Sequence, residues 1–192
     1  MQITGVILAG GLSRRMGGTD KGLINFLGKP MVAHVIELLQ PQVSELLINA
    51  NREIERYQAF GYPVIPDTIS GFSGPLAGLH TAIKSASTPF VLTVPCDSPL
   101  LPTDLASRLM QSLIEQDADI SVARTGAQLH PVFCLCRTTL LASLESYLLS
   151  GERKMDTWQQ SLSMVEVAFD DNPMAFSNIN TAQQLSQLEH SA

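Results

Sequence analysis

The chain has 192 residues, 45% hydrophobic and 16% charged, with a formal net charge of −6, a balance that fits one globular domain and excludes a disordered or coiled-coil chain. The negative charge, with no Lys/Arg run and no aromatic-interleaved basic stripe, also argues against nucleic acid as a partner. No stretch approaches the roughly 20 apolar residues of a membrane span, and an odd number of cysteines (Cys96, Cys134, Cys136) without a secretory signal points to a reducing, cytoplasmic setting.

The first apolar run, Gly5-Val6-Ile7-Leu8, stops at Ala9-Gly10-Gly11 and reads as a buried strand feeding a tight loop. Pro30 opens a segment in which Val32, Val35, Ile36 and Leu39 recur at helical spacing. Leu46 to Ile48 reads as a strand, Glu53 to Phe60 as a helix and Val64-Ile65 as a short strand. A Gly/Ser-rich loop from Pro66 to Pro75 precedes a helix over Leu76 to Ala86, and Phe90 to Val94 is the clearest buried strand. Thr103 caps a helix through Gln116, followed by strands at Ile120 to Arg124 and Val132 to Cys136. A helix from Leu140 to Leu149 ends at Gly151, a strand covers Val165 to Phe169, and a last helix spans Thr181 to Leu188. This alternation predicts an α/β fold, a three-layer α/β/α sandwich around a mostly parallel, Rossmann-like sheet. Such sheets take ligands beyond the carboxyl ends of their strands.

The segment Leu8 to Lys21 lies at that edge. Four glycines there (Gly10, Gly11, Gly17, Gly18) let main-chain N–H groups approach anionic oxygens, and Arg14, Arg15 and Lys21 supply positive charge. An isolated glycine cluster would be an ordinary turn; directly after the first strand, with those cations, it reads as a phosphate cradle. It matches neither G-x-G-x-x-G nor the P-loop, which weakens hydride-transfer and ATPase readings. Asp97 follows the clearest strand within Pro95-Cys96-Asp97-Ser98-Pro99 and is the expected metal ligand, since Mg²⁺ takes few protein oxygens and completes its shell with substrate phosphates. Cys96 has no base beside it in sequence and reads as a structural thiol, as do Cys134 and Cys136. His34, His80 and His190 read as structural or surface residues, and His130, before Pro131, as a residue near an acceptor site.

These blocks resemble the molybdenum cofactor guanylyltransferases, relatives of the sugar-nucleotide and cytidylyl transferases. The likeness rests on Leu8-Ala9-Gly10-Gly11-x-Ser13-x-Arg15-Met16-Gly17-x-x-Asp20-Lys21, on Gly74-Pro75-Leu76-Ala77-Gly78 and on Pro95-Cys96-Asp97-x-Pro99. Asn49 to Arg52, His130-Pro131, Gly151 to Lys154 and Asn178-Ile179-Asn180-Thr181 extend it over nearly the whole chain. The resemblance implies that Leu8, Ala9, Gly10, Lys21, Asn49, Asp67 and Asp97 contact GTP, with Gly11, Arg15 and Gly18 completing the phosphate loop. Gly74 and Gly78 would lie close to the nucleoside, Asn178 and Asn180 would face the acceptor, and Asp97 would hold Mg²⁺, with Mn²⁺ as the alternative ion.

The implied reaction transfers GMP from GTP to the terminal phosphate of Mo-molybdopterin, with Arg15, Lys21 and Asp97 as the catalytic groups. One domain over 1–192 would divide into a nucleotide-binding half of about 1–100 and an acceptor-binding half of about 101–192. Molybdenum-cofactor synthesis proteins and recipient molybdoenzymes are the partners such a family implies. The competing readings are a relative that uses CTP or a sugar-phosphate acceptor, and a nucleotide-binding delivery partner without turnover.

Overall fold

The computed structural model describes residues 2–9, 20–69 and 74–176. These form, in chain order, β1 (Ile3–Leu8), β2 (Asn25–Phe26), β3 (Lys29–Pro30), α1 (Met31–Leu39), β4 (Glu45–Asn49), α2 (Ile54–Gln58), β5 (Val64–Ile65) and α3 (Pro75–Ser85). Then follow β6 (Phe90–Pro95), α4 (Leu105–Glu115), β7 (Ile120–Thr125), β8 (Gln128–Arg137), α5 (Leu141–Leu149), α6 (Met155–Gln160) and β9 (Met164–Ala168). Among the described residues the main sheet has seven strands in the order β5-β4-β1-β6-β8-β7-β9, and β2 and β3 make a separate hairpin. Every neighbouring pair is parallel except those of β8, which runs against both β6 and β7. The expected mostly parallel sheet is therefore present, and β5, β4, β1 and β6 all finish at one edge.

Side-chain alternation along each strand divides the core into two layers. Ile3 and Ile7 of β1, Leu92 and Val94 of β6, and Phe133 and Leu135 of β8 pack with the buried stripes of α1 and α4 and with Tyr57 of α2. Val6, Val91, Cys134 and Cys136 point the other way and pack with α3, α5 and α6, where Trp158 is the largest fully buried side chain. Both cysteines are buried and free, small apolar residues on one face of β8 as their spacing indicated. Burial pushes the Cys134 thiol up to about 11, which keeps it protonated.

Several element limits differ from the sequence reading, each for a tertiary reason. The strand expected at 132–136 runs from Gln128 to Arg137, because Thr125 pairs with Gln128 across the two-residue turn Gly126-Ala127 and joins β7 and β8 in a hairpin. His130 thus lies within β8 rather than ahead of it. Thr103 does not cap α4; the helix begins at Leu105, and the Gln42 side chain, 64 residues away in sequence, accepts from Ala106 N at 3.0 Å. The helix expected over 53–60 is confined to Ile54–Gln58, entered through Glu53 in the left-handed region at φ 52°. The short helix α6 had no separate signal, and the expected helix at 181–188 lies outside the described residues.

Candidate functional site

The carboxyl edge of β1, β4, β5 and β6 gathers those sequence-selected residues that are described. Register places Leu8 beside Asn49 on one side and Pro95 on the other. Main-chain bonds extend these pairings past the strand ends: Ala9 N donates to Asn49 O at 2.8 Å and Cys96 N to Leu8 O at 3.1 Å. Leu8-Ala9 therefore enters the glycine-rich segment between Asn49 and the Cys96-Asp97 corner. Gly10, Gly11, Arg14, Arg15, Gly17 and Gly18 lie outside the described residues, as do Asn178, Asn180 and His190.

Where the chain is described again, Asp20 caps a short 3₁₀ turn, Lys21–Leu23, through a bond from Gly22 N to Asp20 Oδ1 at 3.2 Å. That turn brings Lys21 Nζ to 3.3 Å from Asp97 Oδ2, the two being 76 residues apart in sequence. Asp97 is only 8% exposed, so this anion stands at a desolvated strand end with a cation against it. The pairing is the central geometric finding, because neither residue's local sequence reveals it.

On the opposite face of the sheet edge, Asn49 and Asp67 form a polar clamp. Asn49 Nδ2 donates to Ile65 O at 3.1 Å and to Asp67 Oδ1 at 2.9 Å. Asn51 completes it, donating from Nδ2 to Asp67 Oδ2 at 2.7 Å and accepting from Asp67 N at 2.8 Å. Both oxygens of Asp67 are thereby aimed, and Asn51 is a residue to which sequence reasoning gave no role. Its two-residue spacing from Asn49 was the available signal, since alternate residues leaving a strand share a side.

Gly78 lies under this clamp. A Cβ there would come within 2.5 Å of Asn49 Oδ1 and 2.8 Å of Leu8 Cδ2, so its missing side chain is what lets α3 approach two of the expected nucleotide contacts. Gly74, at φ 116°, precedes Pro75 and starts α3, a conformation that other residues rarely adopt. Around His80, by contrast, the bonds tie the protein together: its Nε2 lies 3.1 Å from Glu145 Oε1 of α5 and its Nδ1 3.4 Å from Thr68 Oγ1.

Cys96 is buried beside the ion pair. Burial first, then the negative charges of Asp97 and Asp20, hold its thiol well above the ordinary range, which rules against a nucleophilic thiolate. His130 stacks on Phe176 with ring centroids 4.8 Å apart and bonds Thr125 Oγ1 at 2.7 Å. Burial lowers its pKa, so the ring stays neutral near pH 7.

On the sequence-based expectation that Asp67 contacts GTP, Asn51→Ala should raise the KM for GTP about three- to tenfold with a smaller change in kcat, because the aim of that carboxylate would be loosened while Lys21 and Asp97 keep their places. Steady-state kinetics decides this; a fall in kcat at unchanged KM would contradict it.

A family model for the MobA-like NTP transferase domain matches residues 5–165. Molybdenum cofactor guanylyltransferases of Bordetella petrii and Shewanella halifaxensis are 50% and 48% identical over 190 and 187 residues, covering 97% of this chain and 96% and 94% of theirs. The crystal structure of molybdopterin-guanine dinucleotide biosynthesis protein A from Archaeoglobus fulgidus aligns with a TM-score of 0.81 over 98% of this chain and 97% of that one. With 21% sequence identity, that match speaks for the fold.

Proposed function

The chain belongs to the MobA-like NTP transferase family, and from that premise we infer that it is a molybdenum cofactor guanylyltransferase, forming molybdopterin guanine dinucleotide from GTP and Mo-molybdopterin. An oxygen of the acceptor's terminal phosphate forms a bond to the α-phosphorus of GTP. The bond from that phosphorus to the oxygen bridging the α- and β-phosphates breaks, and pyrophosphate leaves. No covalent enzyme intermediate is needed, because transfer between phosphates asks mainly for in-line positioning and charge stabilisation.

The observation that carries this reading is the Lys21–Asp97 pair at the carboxyl edge of the sheet, immediately beside the exit of β1. Lys21 stabilises charge developing on the leaving pyrophosphate, and Arg15 acts with it. Main-chain groups from Leu8 through Gly11, with Gly18, surround the phosphates. Asn49 and Asp67 hold the nucleoside with Gly74 and Gly78 near it, while Asn178 and Asn180 meet the acceptor. The nucleotide residues proposed here fall within residues 1–100 and the acceptor residues within 101–192, the two halves into which we divide the chain.

The residues also fit a hard divalent cation. Asp97 offers an anionic oxygen at a strand end, and Mg²⁺ needs only one or two protein carboxylates when phosphates and water fill the remaining positions. No larger cage is required, and no group of three or more His, Cys, Asp or Glu suited to a metal occurs among the described residues. Mn²⁺ accepts the same oxygen donors. Such an ion on Asp97 would neutralise phosphate oxygens and reduce repulsion between two anionic reactants. Among the described residues no helix is long and apolar enough to cross a membrane. Action in the cytoplasm, alongside cofactor-synthesis proteins and recipient molybdoenzymes, completes the proposal.

The test is pyrophosphate release with Mo-molybdopterin and each of GTP, CTP, ATP and UTP. Release is expected with GTP at least about 100-fold above the others, the discrimination available when a buried polar site is built for one base's hydrogen-bond pattern. Preference for CTP, or turnover only with sugar phosphates, would replace this assignment by another nucleotidyltransferase. Tight GTP binding without product would leave a delivery protein.

A further inference from the structure

The turn that presents Lys21 is bolted from beneath by a residue with no role in the reaction as described so far. Tyr57 of α2 is a fully buried aromatic side chain, and its hydroxyl donates to Asp20 Oδ1 at 2.5 Å. The same carboxylate oxygen accepts from Gly22 N, so one atom joins the phenol to both ends of the turn around Lys21. Packing reinforces the bond: a Cβ on Gly22 would lie 2.6 Å from the Tyr57 hydroxyl oxygen and 3.0 Å from Cys96 Sγ. Only a glycine lets the turn settle directly on Tyr57 and on the residue preceding Asp97.

The route to Tyr57 points the same way. Glu53 adopts φ 52° to begin a five-residue helix, a conformation that costs a residue other than glycine some backbone energy and persists where surrounding contacts demand it. That helix brings the phenol under Asp20. The surroundings suit a donor in place: burial raises the Tyr57 pKa, so the hydroxyl keeps its proton, and burial also raises that of Asp20, while the Tyr57 bond favours the carboxylate.

We propose that Tyr57 is a positioning residue for nucleotidyl transfer, its hydroxyl fixing the Asp20–Gly22 turn so that Lys21 stands against Asp97. The kinetic part rests on the guanylyltransferase reading given above; the geometric part does not. Without the hydroxyl, Asp20 loses its firmest partner, the turn gains freedom and the Lys21 ammonium is spread over several positions. Because the charge on the leaving group develops during reaction, misplacement should reduce kcat more than it weakens GTP binding.

Tyr57→Phe keeps the ring and removes the hydroxyl with its bond to Asp20. We expect kcat for pyrophosphate release from GTP to fall roughly tenfold while KM for GTP changes less than about threefold, measured well below the melting temperature of each variant. Asp20→Ala should lower kcat at least as much, and adding Tyr57→Phe to it should lower kcat no further, because the two residues act as one unit. In the protein without nucleotide, pulsed acetylation read by mass spectrometry should modify Lys21 at least about threefold faster in Tyr57→Phe than in wild type, as the less restrained amine leaves its partner more often. An unchanged kcat, multiplicative losses in the double variant, or an unchanged Lys21 acetylation rate would each overturn the proposal. If the wild-type protein released no pyrophosphate from GTP, the functional reading would fail, and the acetylation rates alone would still decide whether Tyr57 holds Lys21.

Discussion

Asp97→Asn is expected to slow Mg²⁺-dependent pyrophosphate release from GTP by about 100-fold or more, on the scale of losing one preorganised electrostatic contact to a reacting phosphate. The substitution preserves the shape of a residue that is only 8% exposed at the end of β6, so the strand and its neighbours should be retained. What changes is charge. A neutral amide is a poor ligand for a hard cation, and Lys21, 3.3 Å from the Asp97 carboxylate, loses that ion-pair contact. The Mg²⁺ concentration giving half-maximal rate should therefore rise along with the fall in kcat. Kinetics over a Mg²⁺ series, with a thermal melt as control, checks both parts. Wild-type turnover at the same Mg²⁺ requirement would remove Asp97 from the metal role and leave it as the counter-charge of Lys21.

The strand series at the carboxyl edge was legible because it depends on local signals. Apolar runs such as Ile3 to Leu8 and Phe90 to Val94 end in Gly or Pro, and parallel connections bring their carboxyl ends together. That is enough to place Leu8, Ala9, Asn49, Asp67 and Asp97 at one edge, which is where they are found. What remained illegible depends on partners distant in sequence. The reversed direction of β8 follows from a hairpin whose turn, Gly126-Ala127, lacks the strong Asn-Gly signature. The first turn of α4 is satisfied by Gln42, and the residues around α4 carry no mark of it. Tyr57 looks in sequence like one more aromatic on a short helix; its hydroxyl becomes informative only when Asp20 is found 2.5 Å away. Gly78 shows the same limit from the other side. The motif singles it out, while only the packing reveals that Asn49 and Leu8 occupy the space its side chain would need.

Lys21→Ala should lower kcat by about 100-fold, because an ammonium next to a leaving pyrophosphate is stabilising mainly once the α–β bridge begins to break. The same deletion takes away the cation 3.3 Å from Asp97, so the measured loss would combine a missing catalytic charge with a less firmly placed carboxylate at the proposed metal position. Comparing variants separates these contributions. If the two side chains did independent work, Lys21→Ala combined with Asp97→Asn would multiply the individual losses. If the pair acts as a unit, the double variant should be clearly faster than that product, since each single loss already includes the disturbance of the other side chain. We expect the second result, with single-turnover kinetics used to confirm that phosphate transfer rather than product release is being compared. Multiplicative losses would mean that the contact between Lys21 and Asp97 is incidental to catalysis, while a normal rate in Lys21→Ala would reduce the turn that carries it to a structural connection between β1 and α1.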